Sequence, residues 1–119
     1  MMKKLIIGFI SIVALNGCMS TPNEVRLDKP LFEVYSNKSP QELAKCIYDG
    51  WTNTRTLMER DNTTHTENFG DIITVFSWHD IIFVDITKLK EGSLAKMYKT
   101  TGGAYALENN RKEVIKLCK

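Results

Sequence analysis

The chain has no real excess of charge of either sign. Its sixteen lysines and arginines stand against fourteen acidic residues, but Lys3 and Lys4 lie in a leading segment, and without them the two signs balance. A neutral domain has no long-range field to draw nucleic acid or anionic lipid, so neither is expected as an electrostatic partner. Also missing is any apolar run of the roughly 20 residues that a bilayer core about 30 Å thick requires. The longest, Leu5 to Leu15, has only eleven residues and is interrupted by Gly8 and Ser11. No G-x-S-x-G elbow, phosphate-cradling glycine loop, H-E-x-x-H pair or C-x-x-C pair occurs. The sequence therefore offers no catalytic motif, and neither an enzyme nor a cofactor is expected. There is no internal repeat or low-complexity tract, and 119 residues hold one domain at most.

What is present begins with that short run. Lys3 and Lys4 form a positive n-region ahead of an apolar h-region, which is the pattern of an export signal rather than of a comfortable permanent span. No A-x-A-like cleavage site follows. Instead Leu15-Asn16-Gly17-Cys18 resembles the lipobox of bacterial lipoproteins, an aliphatic, a variable and a small residue followed by cysteine. The resemblance implies a diacylglyceryl group on the Cys18 thiol, cleavage just before it and acylation of the new amino terminus. Asn16 departs slightly from the small or aliphatic residue usual at its position. A thiol is the natural nucleophile to alkylate, and Gly17 leaves the scissile bond free of a side chain. Each buried methylene contributes about 0.8 kcal/mol, so two or three acyl chains hold firmly where one is marginal. In such lipoproteins an aspartate after the cysteine favours the inner membrane; here the residue is Met19. The resemblance thus implies the outer membrane, periplasmic side. Residues 1–17 are expected to be a signal peptide and residues 18–30 a lipidated cysteine with a flexible tether. Residues 31–119 would form a globular periplasmic domain. The tether, "MSTPNEVRLDKP" after Cys18, has no helical or strand period and would reach about 40 Å when extended.

Within the domain, "PLFEVYS" alternates Phe32 and Val34 against Glu33 and Tyr35, as in a short strand. Ser39, Pro40 and Glu42 then form a capping box with proline at the first helical position. Leu43, Cys46, Ile47, Gly50 and Trp51 follow as one apolar stripe of that helix. The polar stretch from Thr52 to Phe69 is expected to be mostly loop, after a last frayed turn around Leu57 and Met58. "GDIITVFSWHDIIFVDITKL" reads as an antiparallel hairpin turning at His79-Asp80. "SLAKMYKTT" is a third run, and Leu107, Val114 and Cys118 share a face of a C-terminal helix. The order β-α-β-β-β-α predicts an α+β two-layer sandwich, a small antiparallel sheet with two helices on one face.

With Cys18 taken by lipid, Cys46 and Cys118 form an even pair in an oxidising compartment, and a disulfide between them is expected. The alternative is two thiols buried as small hydrophobes. His65 with Glu67, and His79 with Asp80, make weak site candidates, because two histidines without a third ligand at metal spacing read as solvated loop and turn residues; no metal is expected. Asp71, Asp80 and Asp85 flank or interrupt the hairpin. Asp85, in "IIFVDIT", falls on the face with Ile81 and Phe83, where capping an edge or accepting a hydrogen bond outweighs a role as general base. Trp51, Trp78, Phe76 and Tyr98 are core candidates first and an exposed ligand surface second. Lys88, Lys90, Lys96 and Lys99 gather around the third run, as lysines that guard a sheet edge do.

The stretch from Ser39 to Trp51, the Gly92-Ser93 strand start and the terminal cysteine are together similar in pattern to small uncharacterised lipoproteins of bacterial and prophage genomes. That likeness implies lipid attachment at Cys18 and supplies no activity. The expectation is a non-enzymatic envelope lipoprotein, held to the membrane by its acyl chains, whose domain binds another envelope protein in assembly or in excluding phage or plasmid entry. The alternative is a carrier or sensor of a small apolar ligand in a pocket between sheet and helices.

Overall fold

A computed structural model describes residues 20–53, 55–56, 59–60 and 62–119. The signal region 1–17, Cys18 and the turn expected around Leu57 and Met58 lie outside the described residues. In chain order the elements are a one-turn helix α1 (Pro22–Val25), strand β1 (Phe32–Ser36), helix α2 (Pro40–Asn53), the two-residue strands β2 (Arg55–Thr56) and β3 (Glu59–Arg60), strands β4 (His65–Phe69), β5 (Ile72–Ser77), β6 (Ile82–Lys88) and β7 (Ser93–Lys99), and helix α3 (Tyr105–Cys118). Five strands form one antiparallel sheet in the order β1-β7-β6-β5-β4, while β2 pairs only with β3.

Alternation along the strands sends Ile73 and Val75, Ile82, Val84 and Ile86, and Ala95 and Met97 to one face. There they pack with Leu43, Ala44, Ile47 and Trp51 of α2 and with Leu107, Ile115 and Cys118 of α3. Both helices thus lie on the same face of the sheet, and the architecture is the expected α+β sandwich of sheet and helices. The helix start is as the residues dictate: Ser39 Oγ accepts from the Glu42 N–H at 3.2 Å, with Pro40 opening α2.

Two features bring α3 against α2. At Gly50 an added Cβ would lie 2.4 Å from Val114 Cγ1, so only glycine allows this approach. Cys46 and Cys118 are joined by a disulfide, with their Cα atoms 5.8 Å apart, which staples the end of α3 to the middle of α2. Lys38 Nζ donates to the Cys118 carbonyl, one of the acceptors that a helix end leaves free. The buried face of α3 is Leu107, Arg111, Ile115 and Cys118, with Val114 beside it against Gly50. Arg111 is fully buried, a placement its polar neighbours in sequence do not suggest. Its Nε donates to Ser77 Oγ at 2.8 Å, and its carbonyl accepts from Trp51 Nε1 at 3.3 Å.

Three expectations are corrected. Residues 65–69, read as loop, form edge strand β4, paired with β5 through the two-residue hairpin Gly70-Asp71. Glycine at the first of these positions supplies φ +62°, as such a turn requires. Polar residues on both faces hid the strand, because β4 has little apolar to cover. Residues 20–30, read as part of a flexible tether, contain α1 and run across the sheet, for reasons given below. Finally, β7 lies between β1 and β6, so Lys96 and Lys99 do not guard an edge; β1 takes the edge beside β7 and β4 the other.

The disulfide closes a loop with a sequence separation of 72. Replacing both cysteines by alanine is expected to lower unfolding stability by about 4 kcal/mol in the loop-entropy account. Urea denaturation of the variant, beside the parent with and without reductant, measures this; the reduced parent should match the variant.

Candidate functional site

The sheet face opposite the helices is ordered in rungs by the strand register. His65, Phe76, Phe83 and Tyr98 stand directly opposite one another across four strands. His65 stacks on Phe76 at 4.9 Å between ring centroids, Phe76 meets Phe83 at 5.5 Å, and Phe83 stacks on Tyr98 at 5.3 Å. The next rung is Glu67, Thr74, Asp85, Lys96 and Glu33. Of the four aromatics singled out in the sequence, Trp51 is core and Trp78 half-buried against it, whereas Phe76 and Tyr98 belong to this second face.

Among the described residues neither α2 nor α3 covers that face, and the segment after Ser20, with the one-turn α1, lies on it instead. Thr21 caps α1, its hydroxyl accepting from the Glu24 N–H. Val25 packs on the Phe76, Phe83 and Tyr98 cluster. Arg26 Nε donates to Asp85 Oδ2 at 2.8 Å and Nη2 to Oδ1 at 3.0 Å, a two-pronged pair, while its guanidinium carbon lies 4.7 Å from the Phe83 ring centroid. Thr74 Oγ1 donates to the same carboxylate at 2.7 Å. Asp85, the carboxylate placed oddly among apolar residues in the sequence, is 8% exposed and is the anchor point of this latch. Burial pushes the Tyr98 phenol up, and the Asp85 carboxylate adds to the shift.

Breaking the latch strands a poorly solvated carboxylate. Arg26→Ala is expected to cost about 1–3 kcal/mol, the range for hydrogen bonds to charged groups, discounted for the partial exposure of the arginine. Limited proteolysis should then cut within residues 20–30, which the parent protects.

On the helical face β4 projects beyond α2. Thr66 and Asn68 point to that side, opposite Val75 and Ile73, and both are exposed. The result is a cleft of about 460 Å³, open to solvent, between Gln41, Ala44, Lys45 and Tyr48 of α2 and Thr64, His65, Thr66 and Asn68 at β4, with Ile73 below. A second hollow of about 440 Å³ shares Gln41, Asn68 and Ile73 and continues it toward Gly70 and Lys88. Together they make a groove alongside an edge strand. Its floor is apolar and its walls carry amide, hydroxyl and ammonium groups.

The remaining candidates are spread over the surface. His65 Nδ1 donates to the Thr63 carbonyl at 2.9 Å, and its Nε2 lies 3.8 Å from both Glu67 Oε1 and Asp80 Oδ1, beyond hydrogen-bond reach. His79 is exposed at the turn, where its backbone N–H donates to Thr63 Oγ1 at 2.8 Å. Asp71 is exposed at the β4–β5 turn. Among the described residues, no three His, Cys, Asp or Glu side chains are grouped to hold a metal ion. No described helix is long and apolar enough to cross a membrane. Cys18, the expected lipidation site, lies outside the described residues.

Lys99 bonds the Gly103 carbonyl at 2.7 Å and Glu108 Oε1 at 2.7 Å, and Lys112 reaches Glu108 Oε2 at 3.2 Å. The hydrogen bond from Lys99, reinforced by Lys112, holds the Glu108 carboxyl below its ordinary range. Stability from this pair is therefore complete above the unfolded glutamate value, about 4.3, and is lost as pH falls through the depressed folded value. Thermal unfolding against pH should show Glu108→Gln less stable than the parent at neutral pH, with the two curves converging in acid.

Comparison with protein-family models, curated proteins and solved structures finds no match to this chain.

Proposed function

We propose that the protein is a lipid-anchored envelope lipoprotein, held through Cys18 on the periplasmic side of the outer membrane. Its domain is a non-enzymatic module that receives an extended segment of another envelope protein, in envelope assembly or in excluding phage or plasmid entry. The observation that carries the binding mode is the edge strand β4 running beside the groove. Among the described residues β4 has one sheet neighbour, β5. An added strand would gain main-chain hydrogen bonds along its free side, and alternate side chains would enter the groove toward Tyr48 and Ile73. The lipobox supports the anchor. The apolar floor at Ala44 and Ile73 supports a second reading, a carrier of a small apolar ligand in the same cleft.

A photo-reactive phenylalanine analogue at Tyr48, irradiated in intact cells, tests both. A protein adduct that disappears in the Thr66→Lys and Asn68→Lys variant is expected, because edge lysines block strand addition at exposed positions without disturbing the fold. An adduct with lipid or another small molecule alone replaces the first reading by the second. For the anchor, labelled palmitate should enter the parent protein, and Cys18→Ala should abolish it.

A further inference from the structure

The docked segment changes where the domain can stand. The Ser20 N–H donates to the Thr100 carbonyl at 3.3 Å, so the chain leaves the described structure at one particular end of the sheet. Only Met19 separates Ser20 from Cys18, and two residue steps span at most about 7 Å. An anchor there leaves the domain no room to stand clear of the bilayer. The end of the sheet bearing Thr100 must lie at the headgroup layer.

The chemistry of that end fits. It includes the 78–81 turn and the 100–106 loop, joined by the Thr100 N–H donating to the Ile81 carbonyl at 2.8 Å, together with the start of β1, which Lys29 precedes, and the start of β4 at His65. Thr100 to Ala106 contains no acidic or basic residue, and the 78–81 turn contains Asp80 alone besides His79. The opposite end, by contrast, carries Lys38, Asp71, Lys88, Lys90, Glu91 and Lys119. Tyr105 is 69% exposed at this end, beside exposed Ala104 and Ala106, with the Lys99 ammonium 4.8 Å from its ring centroid, and half-buried Trp78 and Ile81 belong to the 78–81 turn. Tyrosine and tryptophan are the residues that settle at a membrane–water boundary, one side apolar and one side hydrogen-bonding. The Lys99 bond to the Gly103 carbonyl holds the loop in place, so the tip is presented without a further ordering cost. Helix α3 begins here at Tyr105, after Ala104 as N-cap with no side-chain cap.

We propose that this end of the sheet, with Tyr105 at its tip, rests on the phospholipid headgroup layer of the membrane that holds the anchor. The proposal depends on lipidation at Cys18. It places the charged end away from the bilayer, and it leaves the β4 groove at the side of the domain, parallel to the membrane normal and open to a partner.

The test uses full-length protein extracted from cell membranes with its anchor and reconstituted on the outside of phosphatidylethanolamine–phosphatidylglycerol vesicles. Tyr105→Cys and Lys90→Cys each add one free thiol, because Cys46 and Cys118 are bonded. An environment-sensitive dye at position 105 is expected to emit to the blue of the same dye at 90. It should be quenched several-fold more by a headgroup-linked nitroxide and several-fold less by a water-soluble quencher. The intact mass of the same preparation reads the acylation of Cys18. Equal, fully aqueous quenching at both positions on acylated protein overturns the docking and leaves the anchor standing. Unacylated Cys18 overturns the anchor, and the docking with it.

Discussion

The pairing of Arg26 with Asp85 decides what the rest of the structure can do. A sheet with α2 and α3 on one face leaves the other face to be covered, and residues 20–30 cover it. The guanidinium satisfies a carboxylate that sits nearly buried among aromatic rings, and its flat face lies over Phe83. Neither partner is stable in that place alone: Asp85 without Arg26 is a poorly solvated charge, and Val25 without the latch is one apolar contact. Together they convert a segment that composition marks as linker into part of the fold. With them, Ser20 is brought to the Thr100 end of the sheet.

The helical side is held by a different means. Close approach at Gly50 and the bridge between Cys46 and Cys118 bind α3 to α2, so the two helices act as one layer. That layer is narrower than the sheet. The overhang of β4 follows, and so does the groove, whose polar walls come from residues that no helix covers. The groove is a consequence of this mismatch between layers.

Much of this was legible in advance. The capping box at Ser39, the α2 stripe, the 72–88 hairpin and the cysteine pair all carry strong local signals, and each element stands where those signals place it. The misses have physical causes. Strand β4 carries His65, Glu67 and Asn68 because both of its faces are largely wet, so the apolar alternation that reveals a half-buried strand is absent. Arg111 is buried by tertiary partners, Ser77 and Trp51, that lie 34 and 60 residues away. The docking of residues 20–30 rests on long-range contacts, the Arg26–Asp85 pair 59 residues apart and Val25 on the aromatic cluster, which no local pattern encodes. Asp85 did signal something by its apolar surroundings, and the partner it needed was an arginine in the supposed tether. The groove could not be read at all, since it exists only once α2 and β4 are placed side by side.

The covering of the open sheet face depends on residues 20–30 lying against it in solution. Nuclear Overhauser contacts of the Val25 methyl groups test it most directly. Cross-peaks to the ring protons of Phe83 and Tyr98, with the methyls shifted upfield by those rings, are the expected result. Random-coil shifts for Val25 and no contact to either ring would contradict it.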